Sequence, residues 1–111
     1  MVNVTIYKKQ KTNTTYVEGF HFEGHAGYAE SGHDIVCAGV SALVLNLINS
    51  IEALTEDKFT CEVKEELGDV DFHIVNEPSE KAALLLDSLV LGITGIRDTY
   101  TKYITVNFRE V

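Results

Sequence analysis

Hydrophobic and polar residues alternate with a period of two in five segments, the pattern of a half-buried β-strand. The residues expected to face the core are Val2, Val4 and Ile6; Phe20 and Phe22; Phe59, Cys61 and Val63; Val70, Phe72 and Ile74; and Ile104, Val106 and Phe108. The second strand is predicted over Tyr16–Glu23, after a polar turn spanning residues 8–13. Leu67, Gly68 and Asp69 provide a turn between the third and fourth strands, which predicts a β-hairpin.

Two longer stretches carry apolar residues at helical spacing. The first stripe is Val36, Val40, Leu43, Val44, Leu47, Ile48, Ile51 and Leu54, and the second is Ala82, Leu85, Leu86, Leu89, Ile93 and Ile96. Asp34 is a good N-cap for the first helix, and the Asn76-Glu77-Pro78 run is expected to open the second. The element order ββαββαβ predicts an α+β fold. We expect one domain over residues 1–111, with a mostly antiparallel sheet and both helices packed on one face.

The acidic composition narrows the choice of partners. The chain has 111 residues, of which 17 are acidic and 9 basic, for a net charge of −8. Direct binding of nucleic acid is not expected, because phosphate recognition needs clustered Lys and Arg. A basic protein partner suits this charge, although solubility alone also explains it.

Length and composition predict an ordinary cytoplasmic globule with one core. The apolar runs are interrupted by Asn, Ser, Glu and Gly, so no membrane span is expected. The N-terminus enters a strand pattern directly, so export is not expected. Cys37 and Cys61 show neither metal-site nor disulfide spacing, and both are predicted to be reduced.

Candidate chemistry lies in residues 24–41, which read G-H-A-G-Y-A-E-S-G-H-D-I-V-C-A-G-V-S. His25 precedes Cys37 by twelve positions, across a small polar loop. Cys37 is predicted in the first turn of the first helix, where free N–H groups and the helix dipole favour a thiolate. An imidazole that folds back onto this thiol would complete the arrangement that a cysteine nucleophile needs.

Other residues of this segment have candidate supporting roles. Orientation of the imidazole, helix capping or oxyanion binding is expected from Asp34, Ala38 and Ser41. A mobile loop that closes over substrate is predicted from Gly27, Tyr28, Ala29, Glu30, Ser31, Gly32 and His33. Gly39 costs helix stability and suggests close approach of a neighbour, such as the His25 loop.

Structural explanations stand beside these roles. Most free cysteines on an apolar helix face are inert core residues, and Cys61 is expected to pack into the core from its strand. His73 is expected to be solvated on the outer face. A zinc site formed by His21, His25, His33 and Cys37 matches no familiar ligand spacing. We therefore expect no metal ion and no cofactor.

The same segment resembles the signature of the ribosomal-processing cysteine proteases, a small bacterial family. The matching positions are Gly24, His25, Ala26, Gly32, Asp34, Val36, Cys37, Ala38 and Ser41. The resemblance implies that Cys37 is the nucleophile and His25 the general base. It implies a substrate, the large-subunit ribosomal protein numbered twenty-seven, from which a short N-terminal extension is removed by cutting after an aromatic pair. It also implies a homodimer.

Two other functional classes remain compatible with the residues. One is a ribosome-associated binding module in which the cysteine is incidental, and the other is a redox-sensing thiol protein. Leu84 and Leu91 lie on the far side of the second helix from its apolar stripe. This face is a candidate dimer surface, although scattered surface leucines are common.

Overall fold

A computed structural model of the chain describes residues 1–24, 31–64 and 68–111. The elements are β1 (Val2–Lys11), β2 (Thr14–Glu23), α1 (Ser31–Leu54), β3 (Phe59–Lys64), β4 (Asp69–Ile74), α2 (Glu80–Thr99) and β5 (Ile104–Glu110). This order confirms the predicted ββαββαβ arrangement, as one domain with a single five-stranded sheet and two helices.

The strands lie in the order β3-β4-β2-β1-β5. The pairs β1–β2, β2–β4 and β3–β4 are antiparallel, whereas β1 and β5 run parallel. The sheet is thus mixed but mostly antiparallel, and the predicted β3–β4 hairpin is confirmed. The parallel pair arises because α2 carries the chain from β4, across the sheet, to the far side of β1. The hydrophobic pattern gave no information on this crossover, since it reports which face is buried and not which strands are neighbours.

Both helices cover the same face of the sheet, and the core lies between. The sheet contributes the buried side chains of Val2, Val4, Ile6, Val17, Phe20, Phe22, Phe72, Ile74 and Ile104. The helices contribute Val36, Val40, Val44, Leu47, Ile51, Ala82, Leu86, Leu89 and Ile93. The two predicted helical stripes are therefore largely confirmed. The prediction that Leu54 is buried is wrong, since 62% of its surface is exposed. Leu54 is the last residue of α1 and lies beyond the part of the stripe that packs on the sheet.

The two edge strands depart from the predicted burial. Cys61 and Val63 on β3 pair with the buried Phe72 and the partly buried Val70 of β4, so they do face the helical side of the sheet. They are nevertheless exposed, as is Phe108 on β5. Two helices cannot cover five strands completely, so residues on the helical side of an edge strand stay exposed to solvent. The prediction that Cys61 packs into the core is wrong for this reason.

Three element boundaries also differ from the predictions. β1 continues to Lys11 and β2 starts at Thr14, so the turn between them is shorter than predicted. α2 begins at Glu80, with Ser79 as its N-cap, and Pro78 therefore lies before the helix. Polar residues at strand ends and helix starts carry no apolar pattern, which makes their boundaries hard to predict.

α1 is long and apolar enough, over Ile35–Leu54, to meet the length and composition of a membrane span. The sequence-based exclusion of such a segment was therefore too strong. Packing supports a different role for the helix, since one side of it is buried against the sheet and α2. Core helices commonly pass the same test, and this feature is weak evidence for a membrane.

Candidate active site

Cys37 is the seventh residue of α1. The helix begins at Ser31, so Asp34 lies within it, and the N-cap predicted at Asp34 is wrong. Cys37 is consequently in the second helical turn. The N–H groups left free by a helix belong to its first four residues. Here these are residues 31–34, so the amides at Cys37 and Ala38 are not the free donors that the predicted oxyanion site required.

The Cys37 thiol is partly buried and packs against the edge of the core. Among the described residues, Sγ donates a hydrogen bond to the carbonyl oxygen of Gly24, over 3.2 Å. This carbonyl belongs to the residue immediately before His25. The thiol therefore contacts the backbone immediately before the segment that carries the candidate base.

Gly24 has room for no side chain. A Cβ atom there would lie 2.4 Å from Cζ of Phe22 and 3.0 Å from Sγ of Cys37. Its N–H also donates to the carbonyl oxygen of Gly68, over 3.0 Å. Glycine lets the chain leave β2 in close contact with both the aromatic ring and the sulfur.

An apolar groove of about 170 Å³ adjoins this position. Its walls come from β2, α1, and the β3–β4 hairpin, and they are formed by Phe22, Ser41, Val44, Leu45, Val63, Lys64, Gly68, Asp69 and Val70. Phe22 also contacts the Gly24 position, and Ser41 lies one helical turn after Cys37. The exposed residues at the end of β3 thus form one wall of a groove whose α1 wall starts at Ser41, one helical turn after Cys37.

Within the described residues, larger depressions with volumes of about 660 and 460 Å³ also occur. They are lined around Asp57 and Ser79, and the larger reaches α1 only at Ala53 and Leu54. Ala53 is 16 positions after Cys37, or about 24 Å along a helix that rises about 1.5 Å per residue. By size alone, these depressions would be the candidate substrate sites. We choose the smaller groove because it lies closer to the Cys37 thiol.

The structure describes only part of the predicted site. His25, Gly27, Tyr28, Ala29 and Glu30 lie outside the described residues. The backbone of residues 31–33 is helical, so Ser31, Gly32 and His33 belong to α1 and not to the predicted loop. Ala38 is exposed on α1. The roles proposed for these residues stay predictions.

Two neighbours of Cys37 have specific surroundings. Ser41 is half-buried and lines the groove. A Cβ on Gly39 would lie 3.4 Å from Cδ1 of Ile96, so the close neighbour at Gly39 is α2. The small residue serves the packing of the two helices, where the sequence had suggested the His25 loop.

Two histidines lie on the open face of the sheet, the face opposite the helices. His21 follows Phe20 and precedes Phe22, both of which are buried on the helical side. His21 is therefore separated from Cys37 by the sheet, and a zinc site that combines the two is excluded. His73 accompanies it on the open face and stacks on Tyr7, with ring centroids 5.0 Å apart.

His73 is bound more firmly than a solvated histidine. Its Nδ1 lies 2.6 Å from Glu18 Oε1, and its Nε2 lies 2.8 Å from Asp71 Oδ2. Burial lowers the pKa of His73, but the hydrogen bond and charge of Glu18, with those of Asp71, outweigh it and raise the pKa above its ordinary value. The expectation that His73 is merely solvated is wrong, because its contacts with Asp71 of the same strand and Glu18 of the neighbouring β2 depend on strand pairing, which sequence periodicity does not show.

The second cysteine offers a chemical contrast. Cys61 is exposed, yet partial desolvation of its thiol and the charge of Asp71 raise its pKa. A raised pKa lowers the fraction of reactive thiolate at neutral pH. Cys61 is thus an accessible thiol whose surroundings disfavour the nucleophilic form.

Comparison with known proteins identifies the class as cysteine endopeptidases, which are hydrolases. The chain belongs to the family described as cysteine protease Prp, whose model matches residues 1–105. The catalytic nature predicted from the thiol segment is thereby confirmed at the level of the family.

Three similar proteins illustrate the match. The ribosomal processing cysteine protease Prp of Staphylococcus aureus strain Mu50 is 28% identical over 108 residues, covering 97% of each chain. A crystal structure from Streptococcus mutans has a TM-score of 0.87 and 30% identity, over 100% of this chain and 99% of the other. The essential S. aureus protease Prp, solved with a substrate peptide, has a TM-score of 0.84 and 26% identity, over 96% of this chain and 99% of that one.

Proposed function

We propose that this chain removes a short N-terminal extension from the large-subunit ribosomal protein numbered twenty-seven, cutting after an aromatic pair. The observation that carries the proposal is the Cys37 thiol, which contacts the backbone just before His25 and lies one helical turn from the apolar groove, in a chain of the Prp family. The S. aureus and B. subtilis relatives are named for ribosomal processing. Membership of a protease family leaves the binding module and the redox sensor without a supporting observation.

Cys37 and His25 are the proposed catalytic pair. Sγ gives up its hydrogen bond to Gly24 and passes its proton to the His25 imidazole. The thiolate attacks the scissile carbonyl carbon, and the protonated His25 then donates to the leaving amine. Departure of the amine leaves a thioester, and His25 next removes a proton from the water that attacks its carbonyl carbon. The C–S bond breaks, the carboxylate product leaves, and the proton on His25 returns to Sγ. Both the thiol and the imidazole are regenerated.

The groove supports a preference for aromatic side chains. Its lining is mostly apolar, with Phe22, Val44, Val63 and Val70 among its walls. Its volume of about 170 Å³ is comparable to the roughly 150 Å³ apolar cavity that holds benzene in an engineered protein. The groove therefore has room for one phenyl side chain of the substrate. Burying an aromatic ring contributes roughly 1.5–3 kcal/mol.

Charge supports a basic substrate chain. The net charge of −8 attracts the basic residues that are common in ribosomal proteins. Exposed charges act over a distance that salt shortens, with a Debye length of about 8 Å at physiological ionic strength. The contribution of charge to substrate capture should therefore fall as salt is added.

The proposal includes a homodimeric protease domain over residues 1–111, working in the cytoplasm. Leu84 and Leu91 on α2 are 70% and 75% exposed. Two exposed leucines seven residues apart on one helix are suited to burial against a second copy.

A peptide panel at two salt concentrations tests the proposed substrate. The parent peptide carries the extension, an aromatic pair at the cut, and downstream Lys and Arg residues. Replacing both aromatics by Ala should cost the most activity, and removing the downstream basic residues should cost less, with a loss that shrinks at high salt. Cleavage is followed by the masses of both fragments. Undiminished cleavage of the double-alanine peptide would overturn the aromatic preference, and a salt-independent effect would overturn the charge steering.

A further inference from the structure

Two carboxylates face each other at the end of the sheet, on its open side. Glu23 ends β2 and Asp69 begins β4, and the register pairs them directly across the two strands. Like charges in directly opposite positions destabilise a sheet. Lys64 pairs with Asp69 from β3, but no ion pair joins the two within the described part of the chain. A cation between Glu23 and Asp69 would relieve this repulsion.

His21 places a third ligand atom beside these carboxylates. Its Nε2 lies 3.3 Å from Glu23 Oε1 and 3.9 Å from Asp69 Oδ2. Ligand atoms from all three residues lie within 4.8 Å of one another. Around a tetrahedral zinc ion with bonds of about 2.0–2.2 Å, donor atoms are about 3.4 Å apart. Small side-chain adjustments would therefore bring the three atoms to bonding distance of one ion.

Asp71 orients His21 for this role. Its Oδ1 lies 3.0 Å from Nδ1 of His21, where the carboxylate accepts a hydrogen bond from the ring. A proton held on Nδ1 leaves the Nε2 lone pair directed at Glu23 and Asp69. A carboxylate behind a metal-binding histidine is the usual means by which proteins set the tautomer and orientation of the ring.

The neighbouring histidine, His73, has no ring nitrogen that lies near two different carboxylate groups among the described residues. Both ring nitrogens of His73 face carboxylates, Nδ1 toward Glu18 and Nε2 toward Asp71. By contrast, Nε2 of His21 lies near both Glu23 and Asp69. His73 therefore provides a matched control on the same face, in contact with the same Asp71.

We propose that His21, Glu23 and Asp69 bind a divalent first-row transition-metal ion, with Zn²⁺ as the representative ligand. One imidazole and two carboxylates suit such an ion and leave a coordination position for water. The site lies across the sheet from Cys37, so it takes no part in thiol chemistry. It joins the end of β2 to the start of β4. In the sequence, residues 25–30 follow this end of β2, and residues 65–67 precede this start of β4.

Calorimetric titration of the metal-free protein with Zn²⁺ tests the site. The wild-type chain should bind one ion, and His21→Gln and Glu23→Gln should each weaken binding at least tenfold. Asp71→Asn should weaken it by about 10- to 100-fold, the range found when a group behind a metal ligand is changed. His73→Gln and Cys37→Ala should bind as the wild type does.

Several results would overturn the proposal. One is the absence of Zn²⁺ binding by the wild type. Another is binding that survives in His21→Gln but disappears in Cys37→Ala or His73→Gln, since the ion would then lie elsewhere. Each variant is first checked for a wild-type melting transition. Should His21→Gln fail to fold, the exposed Glu23 still provides the test through Glu23→Gln.

Discussion

At Cys37, Sγ lies within hydrogen-bonding distance of the carbonyl oxygen of Gly24. A carbonyl oxygen accepts a bond from S–H but repels a thiolate, so ionisation of the sulfur must be accompanied by loss of this contact. His25, the proposed base, follows Gly24 directly in the sequence.

Replacement of His25 tests the assignment of the base. His25→Ala should lower kcat/KM by about 10²- to 10⁴-fold, the usual contribution of a general base. His21→Ala and His73→Ala should lose far less, since both side chains lie across the sheet from Cys37. Rates are measured with the extended peptide at neutral pH. Equal losses in His21→Ala and His25→Ala would contradict the assignment.

Gly24 provides a test of the packing around the thiol. Gly24→Ala puts a methyl group 2.4 Å from the Phe22 ring and 3.0 Å from Sγ, so these groups must move. Overpacking of this kind typically costs about 1–3 kcal/mol, and we expect a large loss of cleavage with it. Activity and the urea midpoint are measured together.

Gly95→Ala is the control for that change. Gly95 lies within α2, and a Cβ there meets no atom within 4 Å. The substitution should leave cleavage unchanged and stabilise the fold by roughly 0.5–1 kcal/mol, because alanine is the better helix former. Wild-type stability and activity of Gly24→Ala would show that the close contact at Gly24 is unimportant.

Among the elements, the start of α2 is held by two side chains. Ser79 Oγ accepts a bond from the N–H of Ala82, and Asp57 accepts bonds from both the N–H and the hydroxyl of Ser79. These hydrogen bonds from Ser79 lower the pKa of Asp57 below its ordinary value. The cap thus connects the segment before β3 to the helix that packs on α1.

Loss of this cap should be measurable. Ser79→Ala removes one bond to the helix and one to Asp57, and N-cap substitutions of this kind cost about 0.5–2 kcal/mol. The measurement is urea unfolding at pH 7. Ser88→Ala, a change on the same helix outside the cap, is the control and should have little effect. Equal effects of the two changes would contradict the capping role.

The elements also show how much of the fold a hydrophobic pattern can predict. The stripes of α1 and α2 and the inward residues of β1 were predictable, because periodic burial on one face leaves a periodic sequence. The starts of α1 and α2 were not, since Ser31, Asp34 and Ser79 are all suited to an N-cap and local sequence does not choose among them. The exposure of Cys61 depended on β3 being an edge strand, which only the pairing reveals.

At the scale of the molecule, the sheet separates two chemistries. The helical side carries the thiol and the apolar groove, whereas the open side carries Glu18, His21, Asp71 and His73. Period-two alternation correctly predicted that His73 lies on the outer face. The network of both histidines with the carboxylates could not be predicted, because it depends on the register of β2 against β4.

The open face should make stability depend on pH. The pKa of His73 is raised above its ordinary value of 6.5, so the folded chain holds that proton more tightly than the unfolded chain. The resulting stabilisation is complete below about pH 6.5 and is lost as pH rises through the raised value. Denaturant midpoints should therefore fall over this interval in the wild type, and His73→Gln should flatten the slope. An unchanged slope in the variant would contradict the role of His73.

The central claim is that Cys37, and not Cys61, is the nucleophile. Both thiols lie on the helical side of the sheet, but Cys37 is the one that contacts Gly24, the residue before His25. Alanine is a good helix former, so Cys37→Ala should keep the fold. Cys61→Ala serves as the matched control, because it removes the other sulfur of the chain.

The deciding measurement is incubation of each variant with the extended ribosomal protein, followed by mass determination of both fragments. We expect no cleavage by folded Cys37→Ala, and cleavage by Cys61→Ala at close to the wild-type rate. Product formation by Cys37→Ala, together with an inactive but folded Cys61→Ala, would contradict the account.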